Sequence, residues 1–320
     1  MPKKLEISTK TIIFITFWIF FLYIIYQVRE ILLILLISFI LMSALRPAVD
    51  RLEKLKLPRT LATLITYLLL IAAFVLFSSL IFPPLVNESS RLISITPAYL
   101  DDALKYIDPN TNLISEQITP VGSNILKFTF GFFNNIIALI TLLVLTFYFL
   151  IERKGLPKAL ESITDKKVAD RAFFIVQKVE KRLGSWVRGQ LALATIVGLL
   201  TFVGLIFLDV PYALPLALIA GVLEIIPNIG PIIATIPAAL VALAISPLLT
   251  LATIALFFLV QQIENNIIVP KIMQKAVGLN PLVTILALIT GAKLLGVLGA
   301  IIAIPVFLII QTVLTEVVKK

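Results

Sequence analysis

LALIAGVLEIIPNIGPIIATIP, residues 216–237, and its partial echo LALITGAKLLGVLGAIIAIP, residues 286–305, decide how this chain folds. Each is an apolar run of helical character, interrupted near its middle by residues that disrupt helices. Each also carries one charge, Glu224 or Lys293, in otherwise apolar surroundings. As one straight helix, residues 212–246 would run about 52 Å at 1.5 Å per residue, too long for a hydrocarbon layer of about 30 Å. Pro227, Gly230 and Pro231 divide that stretch into halves too short to cross comfortably. A helical hairpin dipping in from one face of the membrane fits this pattern. Residues 282–318 are likewise over-long, and Gly291, Gly296 and Gly299 at their middle predict a second hairpin. Interrupted helices at corresponding places in two repeats point to a transporter's binding site.

The rest of the chain agrees with a bilayer setting. Of 320 residues, 60% are hydrophobic and only 14% charged, with a mean hydropathy of +1.08. A soluble domain carries nearer a quarter charged residues. Apolar runs at 11–28, 31–45, 61–82, 132–151 and 191–208 approach or exceed spanning length, and 248–268 is long enough but polar toward its end. The first run lacks a small-residue cleavage site and another follows within three residues, so it reads as a span and not as a signal peptide.

Cysteine and histidine are both absent. No disulfide framework, thiolate or imidazole metal site, cysteine nucleophile or Ser–His–Asp triad can form. No catalytic residues, cofactor or metal are expected, and no phosphate-binding loop suggests an ATP motor. The net charge of +9 invites a nucleic-acid partner, but the positions of the charges argue against one. With a cytoplasmic N-terminus, inside segments hold 22 of the 27 Lys and Arg residues, while the opposite loop at 83–127 holds Arg91, Lys105 and Lys127 against five acids. That is the positive-inside distribution, and it places both termini in the cytoplasm.

The expected fold class is an all-α, polytopic integral membrane protein with five to six full spans and two broken or re-entrant hairpins. Five regions follow along the chain: a three-helix membrane segment (1–82), an extracytoplasmic polar and amphipathic segment (83–130), one span (131–151), a basic amphipathic cytoplasmic segment (152–190), and a transport core (191–320). The core holds the hairpins 212–246 and 282–318. Between residues 46 and 59, Pro47 and Pro58 bracket a short amphipathic turn. In the basic segment Ala172, Ile175, Val176, Val179, Leu183 and Trp186 recur at helical spacing, with the basic residues largely off that stripe. This predicts a helix lying on the anionic leaflet, with Trp186 at headgroup depth. The hairpins align as a candidate inverted repeat: Pro211 with Pro281, Gly221 with Gly291, Gly230 with Gly299, and Pro237 with Pro305.

The candidate transport residues lie at the breaks and in one polar belt. Glu224, three residues before Pro227, should be protonated, paired or facing a wet cavity. It reads either as the proton- or cation-coupling group or as a structural partner of Lys293. Asn228 sits in the break, where it can coordinate cargo or cap the second half-helix. Gln261, Gln262, Glu264, Asn265 and Asn266 interrupt a span, and Gln261, Glu264 and Asn265 share one face of a regular helix.

The blocks EIIPNIGPIIATIP (224–237) and QQIENNIIVPKIMQKAVGLNP (261–281) resemble the AI-2E family of transporters, the PerM-like permeases. So do WVRGQ at 186–190 and GAKLLGVLGAIIAIP at 291–305. The resemblance covers most of the chain. It implies a plasma (inner) membrane protein that exports the signal autoinducer-2 or exchanges sodium or lithium for protons. It marks Glu224, Pro227, Gly230, Gln262, Glu264, Asn265, Pro270, Gly278 and Pro281 as family positions, whereas Lys293 departs from the small or apolar residue expected there.

Together these observations predict a secondary transporter, not an enzyme, that exports a small polar solute or a monovalent cation coupled to protons by alternating access. Its partners would be that cargo, the lipid bilayer and further copies of the chain in a homo-oligomer. The rival expectation is a membrane scaffold that organises envelope partners through 83–127 and 152–190 without transporting anything.

Overall fold

The computed structural model describes residues 9–76, 79, 136–227, 229–243, 245–273 and 281–318. The polar segment at 83–130 and Asn228 and Gly278 therefore lie outside the described residues. Throughout the described residues the architecture is all-α, and five helices are long and apolar enough to cross a membrane. The elements are α1 (Thr9–Gln27), α2 (Arg29–Lys54), α3 (Arg59–Leu76), α4 (Ile136–Glu152), α5 (Leu156–Glu161), α6 (Lys166–Phe207), α7 (Ala213–Leu223), α8 (Ile229–Leu243), α9 (Pro247–Ile263), a π-helical turn (Glu264–Ile268), α10 (Val269–Met273) and α11 (Pro281–Val318).

Large apolar side chains face outward along the spans: Phe14, Trp18 and Phe20 on α1, Leu68 and Phe74 on α3, and Leu251 and Phe258 on α9. In water this surface would be an aggregation hazard, but hydrocarbon solvates it. The chain is a multi-pass membrane protein.

α2, α3 and α4 form one packed unit around Met42, Val49, Ala62, Tyr67 and Leu150. Polar side chains stitch it together where no water competes: Tyr67 Oη donates to the Leu143 carbonyl at 2.9 Å and Ser38 Oγ to the Leu142 carbonyl at 3.3 Å. The turn expected to begin at Pro47 is instead part of α2, which runs on to Lys54. Pro47 has no N–H, so the Ser43 carbonyl one turn earlier loses its helical donor. Gly184 of α6 packs so closely on that carbonyl that a Cβ there would lie 2.2 Å from it. The proline is tolerated because a neighbouring helix covers the gap.

α6 is the spine. At 42 residues, about 63 Å, it is one uninterrupted helix, so the boundary expected at 190/191 falls inside it. Its apolar stripe does not rest on lipid. Val179, Leu183 and Trp186 are buried with Ile40 of α2, Ile226, and Leu288, Ala300, Ala303 and Leu308 of α11. Trp186 is a core residue, packed on protein and not on lipid. The stripe's period is the same whether a helix faces lipid or protein, and here protein supplies the partner.

Both hairpins are present. In the first, Leu216 and Ala220 of α7 pack with Ala234, Ala238 and Val241 of α8. Gly230 closes the bend, since a Cβ there would come within 2.0 Å of the Leu223 carbonyl oxygen. In the second, α11 breaks at Leu295 and Gly296, the latter at φ 62° and ψ −145°, a conformation open essentially to glycine alone. Gly291 and Gly299 then meet face to face: a Cβ on Gly299 would lie 2.0 Å from the Gly291 carbonyl oxygen. Of the three glycines expected to interrupt this segment, Gly296 makes the break, and the other two allow the halves to close.

Candidate functional site

The bend of the first hairpin brings a carboxylate into the middle of the protein. α7 ends at Glu224, whose N–H still bonds to the Ala220 carbonyl at 3.1 Å. Residues 225–227 begin the turn of the chain: the Ile226 N–H reaches the Leu223 carbonyl at 3.0 Å, and the Gly230 N–H reaches the Ile226 carbonyl at 2.9 Å. Pro227 sits in this turn, and Pro231 lies in the first turn of α8, where its missing N–H costs nothing. The Glu224 side chain is fully buried, with 0% exposure, and neither carboxyl oxygen has a hydrogen-bond donor.

Glu264 comes from the opposite side. It opens the π-helical turn, in which the Val269 N–H bonds five residues back to the Glu264 carbonyl. The extra residue per turn rotates the following side chains relative to a regular helix. Glu264 is buried, Gln261 is half-buried, and Gln262, Asn265 and Asn266 are exposed. The expectation that Gln261, Glu264 and Asn265 share one face therefore fails, because the spacing behind it assumes 3.6 residues per turn. Asn266 bonds back to the Gln262 carbonyl at 2.9 Å.

The Glu224 and Glu264 carboxyls are both buried and act on each other electrostatically. Glu264 Oε2 also lacks a donor. Gln190 of α6, 3% exposed, completes the group by donating its Nε2 hydrogen to the main-chain carbonyl of Glu224. One residue earlier, Gly189 lets α6 press against α10: a Cβ there would lie 2.9 Å from Met273 Sδ and 3.3 Å from Ile272 Cγ2. α6 thus touches both the bend that carries Glu224 and α10, which follows the turn that carries Glu264.

The pairing of Glu224 with Lys293 is not made. Lys293 stands exposed beside the second bend, next to Leu294 and Leu295, while Glu224 is sealed inside. The pair would require the two bends to meet tip to tip. They meet instead through Ile226, which packs in the same buried cluster as Leu288 and Ala300. The sequence alone offers Glu224 and Glu264 as candidates but not Gln190, which the fold sets beside Glu224. Its one signal was an amide buried between Gly189 and a purely apolar run. Among the described residues no set of three or more His, Cys, Asp or Glu side chains is placed to hold a metal ion.

A family model described as AI-2E family transporter matches residues 15–319, and the chain belongs to that family. It is 27% identical to YueF of Bacillus subtilis over 88% of this chain and 82% of that protein. It is 28% identical to the AI-2 transport protein TqsA of Escherichia coli over 85% of this chain and 82% of that one. A sodium-lithium/proton antiporter of Halobacillus andaensis is 23% identical over 61% of this chain and 55% of its own length. The protein is a membrane transporter.

Proposed function

We propose that this transporter is a secondary, proton-coupled carrier in which Glu224 and Glu264 hold a proton or a monovalent cation between them. One observation carries the reading: two carboxyl groups share a water-excluded site, and the Glu224 oxygens have no donor. Two ionised carboxylates cannot rest side by side in such a place, because each repels the other and burial penalises both. A single positive charge relieves the conflict, and a proton or a small cation supplies it. Exchange of one for the other as the hairpins rearrange is the chemistry of coupled transport by alternating access.

The cargo is either the cation itself or a small polar solute driven out against the proton. The names of the relatives support both, one naming AI-2 and the other sodium and lithium against protons. The bias of basic residues supports a plasma-membrane protein with cytoplasmic termini. Reconstitution into proteoliposomes separates the cargoes. A cation exchanger dissipates an imposed pH gradient when sodium or lithium is added, whereas a solute exporter responds only when its solute is supplied. In either case Glu224→Gln is expected to abolish proton coupling, and unchanged coupling would overturn the assignment.

A further inference from the structure

The two arms of α11 are held in unequal ways. The break at Leu295 and Gly296 divides the helix into a first arm, residues 281–294, and a second arm, residues 297–318. The second arm is fixed to α6 along its length. Its Ala300, Ala303, Ile304 and Leu308 share one buried cluster with Val179, Leu183 and Trp186. Three basic side chains of α6 then grip its end. Arg182 donates to Gln311 Oε1 at 2.8 Å and to Thr312 Oγ1 at 2.9 Å, and Lys178 pairs with Glu316 at 2.8 Å. Arg171 donates to the Glu316 and Val317 carbonyls at 3.0 and 3.3 Å, at a helix C-terminus where a cation is favoured.

The first arm has a much lighter hold. Among the described side chains of 282–294 only Leu288 is buried, and Leu282, Leu286 and Ile289 are more than half exposed. Leu288 enters the same cluster as Ile226, two residues past Glu224. Gly291 is the arm's other seat, since with Gly299 it lets the two arms touch through their backbones. The joint is Gly296, exposed, at φ 62°, with nothing within 4 Å of where a Cβ would stand.

We propose that the first arm of α11 is a gate over the bend that carries Glu224, swinging at Gly296 on a second arm that α6 holds still, with Leu288 as the plug that the gate withdraws. Closed, it keeps Ile226 and the bend from water. Open, it admits water and cargo to the turn that follows Glu224. The gate rests on the coupling role proposed above, because a sealed carboxyl can exchange its charge only if something over it moves. Elimination picks out which element that is. Of the elements that give buried side chains to the cluster around Ile226, α2 is tied to α6 by Arg46 on Glu180 and by Arg188 on the Ala44 carbonyl at 3.2 Å. The second arm is tied to α6 by the three basic residues. The first arm alone is seated by one leucine and a glycine contact, and a segment with so few buried contacts opens at low cost. Its joint absorbs the change of backbone angles without moving a neighbour.

The chain contains no cysteine, so one substitution supplies its only thiol. Leu288→Cys and Leu308→Cys place that thiol in the same cluster, one on each arm, where the leucines are 2% and 1% exposed. Each purified full-length variant is reconstituted into proteoliposomes, and its labelling by N-ethylmaleimide is timed well below its melting temperature. The thiol of Leu288→Cys is expected to react about tenfold faster, or more, than that of Leu308→Cys, because local opening and not average burial sets the rate. Comparable rates, or protection of both thiols until the protein is denatured, would overturn the gate. Gly296→Ala, added to each variant, tests the joint. The closed arm needs a backbone conformation that alanine resists, so labelling of Leu288→Cys should quicken by about threefold or more while that of Leu308→Cys stays the same. Faster labelling at both positions, or at neither, would show that the arm does not swing there. If Gly296→Ala does not fold, the first comparison decides alone. The coupling reading is judged apart from this: if Glu224→Gln loses proton coupling while both thiols stay protected, that reading stands and the gate falls.

Discussion

Glu180 and Glu224 are both buried acids in contact with or on the central helix α6, and they are held in opposite ways. Glu180, 1% exposed, lies on α6 itself and is clamped by two guanidinium groups, Arg46 from α2 and Arg153 from the chain just after α4. The clamp is extended by Arg59, which donates to the Leu150 carbonyl at 2.6 Å and to Glu53 at 3.1 Å, while Lys154 also pairs with Glu53. Arg153 is further covered by the ring of Phe173, its guanidinium carbon 4.5 Å from the ring centre. Glu224 has no such escort: its backbone is bonded and its carboxyl is not. A buried acid that exists to hold helices together is neutralised by fixed partners, because leaving it unpaired is costly. A buried acid left without fixed partners is available to a mobile charge.

Removing each acid in turn should break the molecule in different ways. The largest effect is expected for Glu180→Ala, which strands the buried Arg153 and takes one partner from the half-buried Arg46, and should cost about 3–5 kcal/mol. Thermal unfolding in detergent reads this directly, and a melting temperature like the parent's would show that the cluster contributes little. Because the Arg153–Glu180 pair is shielded from solvent, added salt should not reproduce the loss.

Gly230→Ala comes next. Its methyl group would lie 2.0 Å from a backbone oxygen that has no room to retreat, so the bend must open. Overpacking of this kind costs about 1–3 kcal/mol. Since the bend also places Glu224, transport should fall further than stability does. A variant that is destabilised but transports normally would separate the bend from the site.

Glu224→Gln should change stability by less than about 1 kcal/mol, or raise it slightly, since it removes a buried charge and leaves the shape intact. The same substitution should eliminate proton coupling. Its melting curve set beside that of Glu180→Ala is the sharpest test of the contrast. If Glu224→Gln destabilises as much as Glu180→Ala, both acids are structural.

Much of this was legible in the residues. Pro227 and Gly230 announced the first bend, and the lone acid before it stood out as a candidate, because an ionisable group in a long apolar run has few inexpensive explanations. The glycines of the second hairpin likewise announced a break. Three features were not legible. The π-helical turn at Glu264 follows from no composition or period, and it is here that Glu264 is buried while Asn265 and Asn266 stay exposed. Pro47 reads as a helix end from local rules, and only the approach of Gly184, distant in the sequence, reverses that. The stripe ending in Trp186 has the same spacing whether it faces lipid or protein, so its partner α11 had to be seen in three dimensions.

Lys293 gives the smallest expected effect and a second comparison, between the two bends. The first buries Glu224 and Ile226 and is tied to α6 through Gln190; the second is exposed, with Leu294 74% and Val297 48% accessible, and Lys293 stands among them. A lysine on an exposed apolar tip can extend its ammonium to water or lipid headgroups while its methylene stem covers the leucines. Such a residue makes little net contribution to stability and touches neither acid of the site. Lys293→Ala should therefore leave melting temperature and proton-coupled transport within about twofold of the parent, with surface substitutions of this kind typically costing under about 0.5 kcal/mol. A large loss of transport with normal stability would mean that the second tip reaches Glu224 in another conformation of the cycle. The two hairpins would then share one site, and the unequal roles drawn from their burial would have to be abandoned.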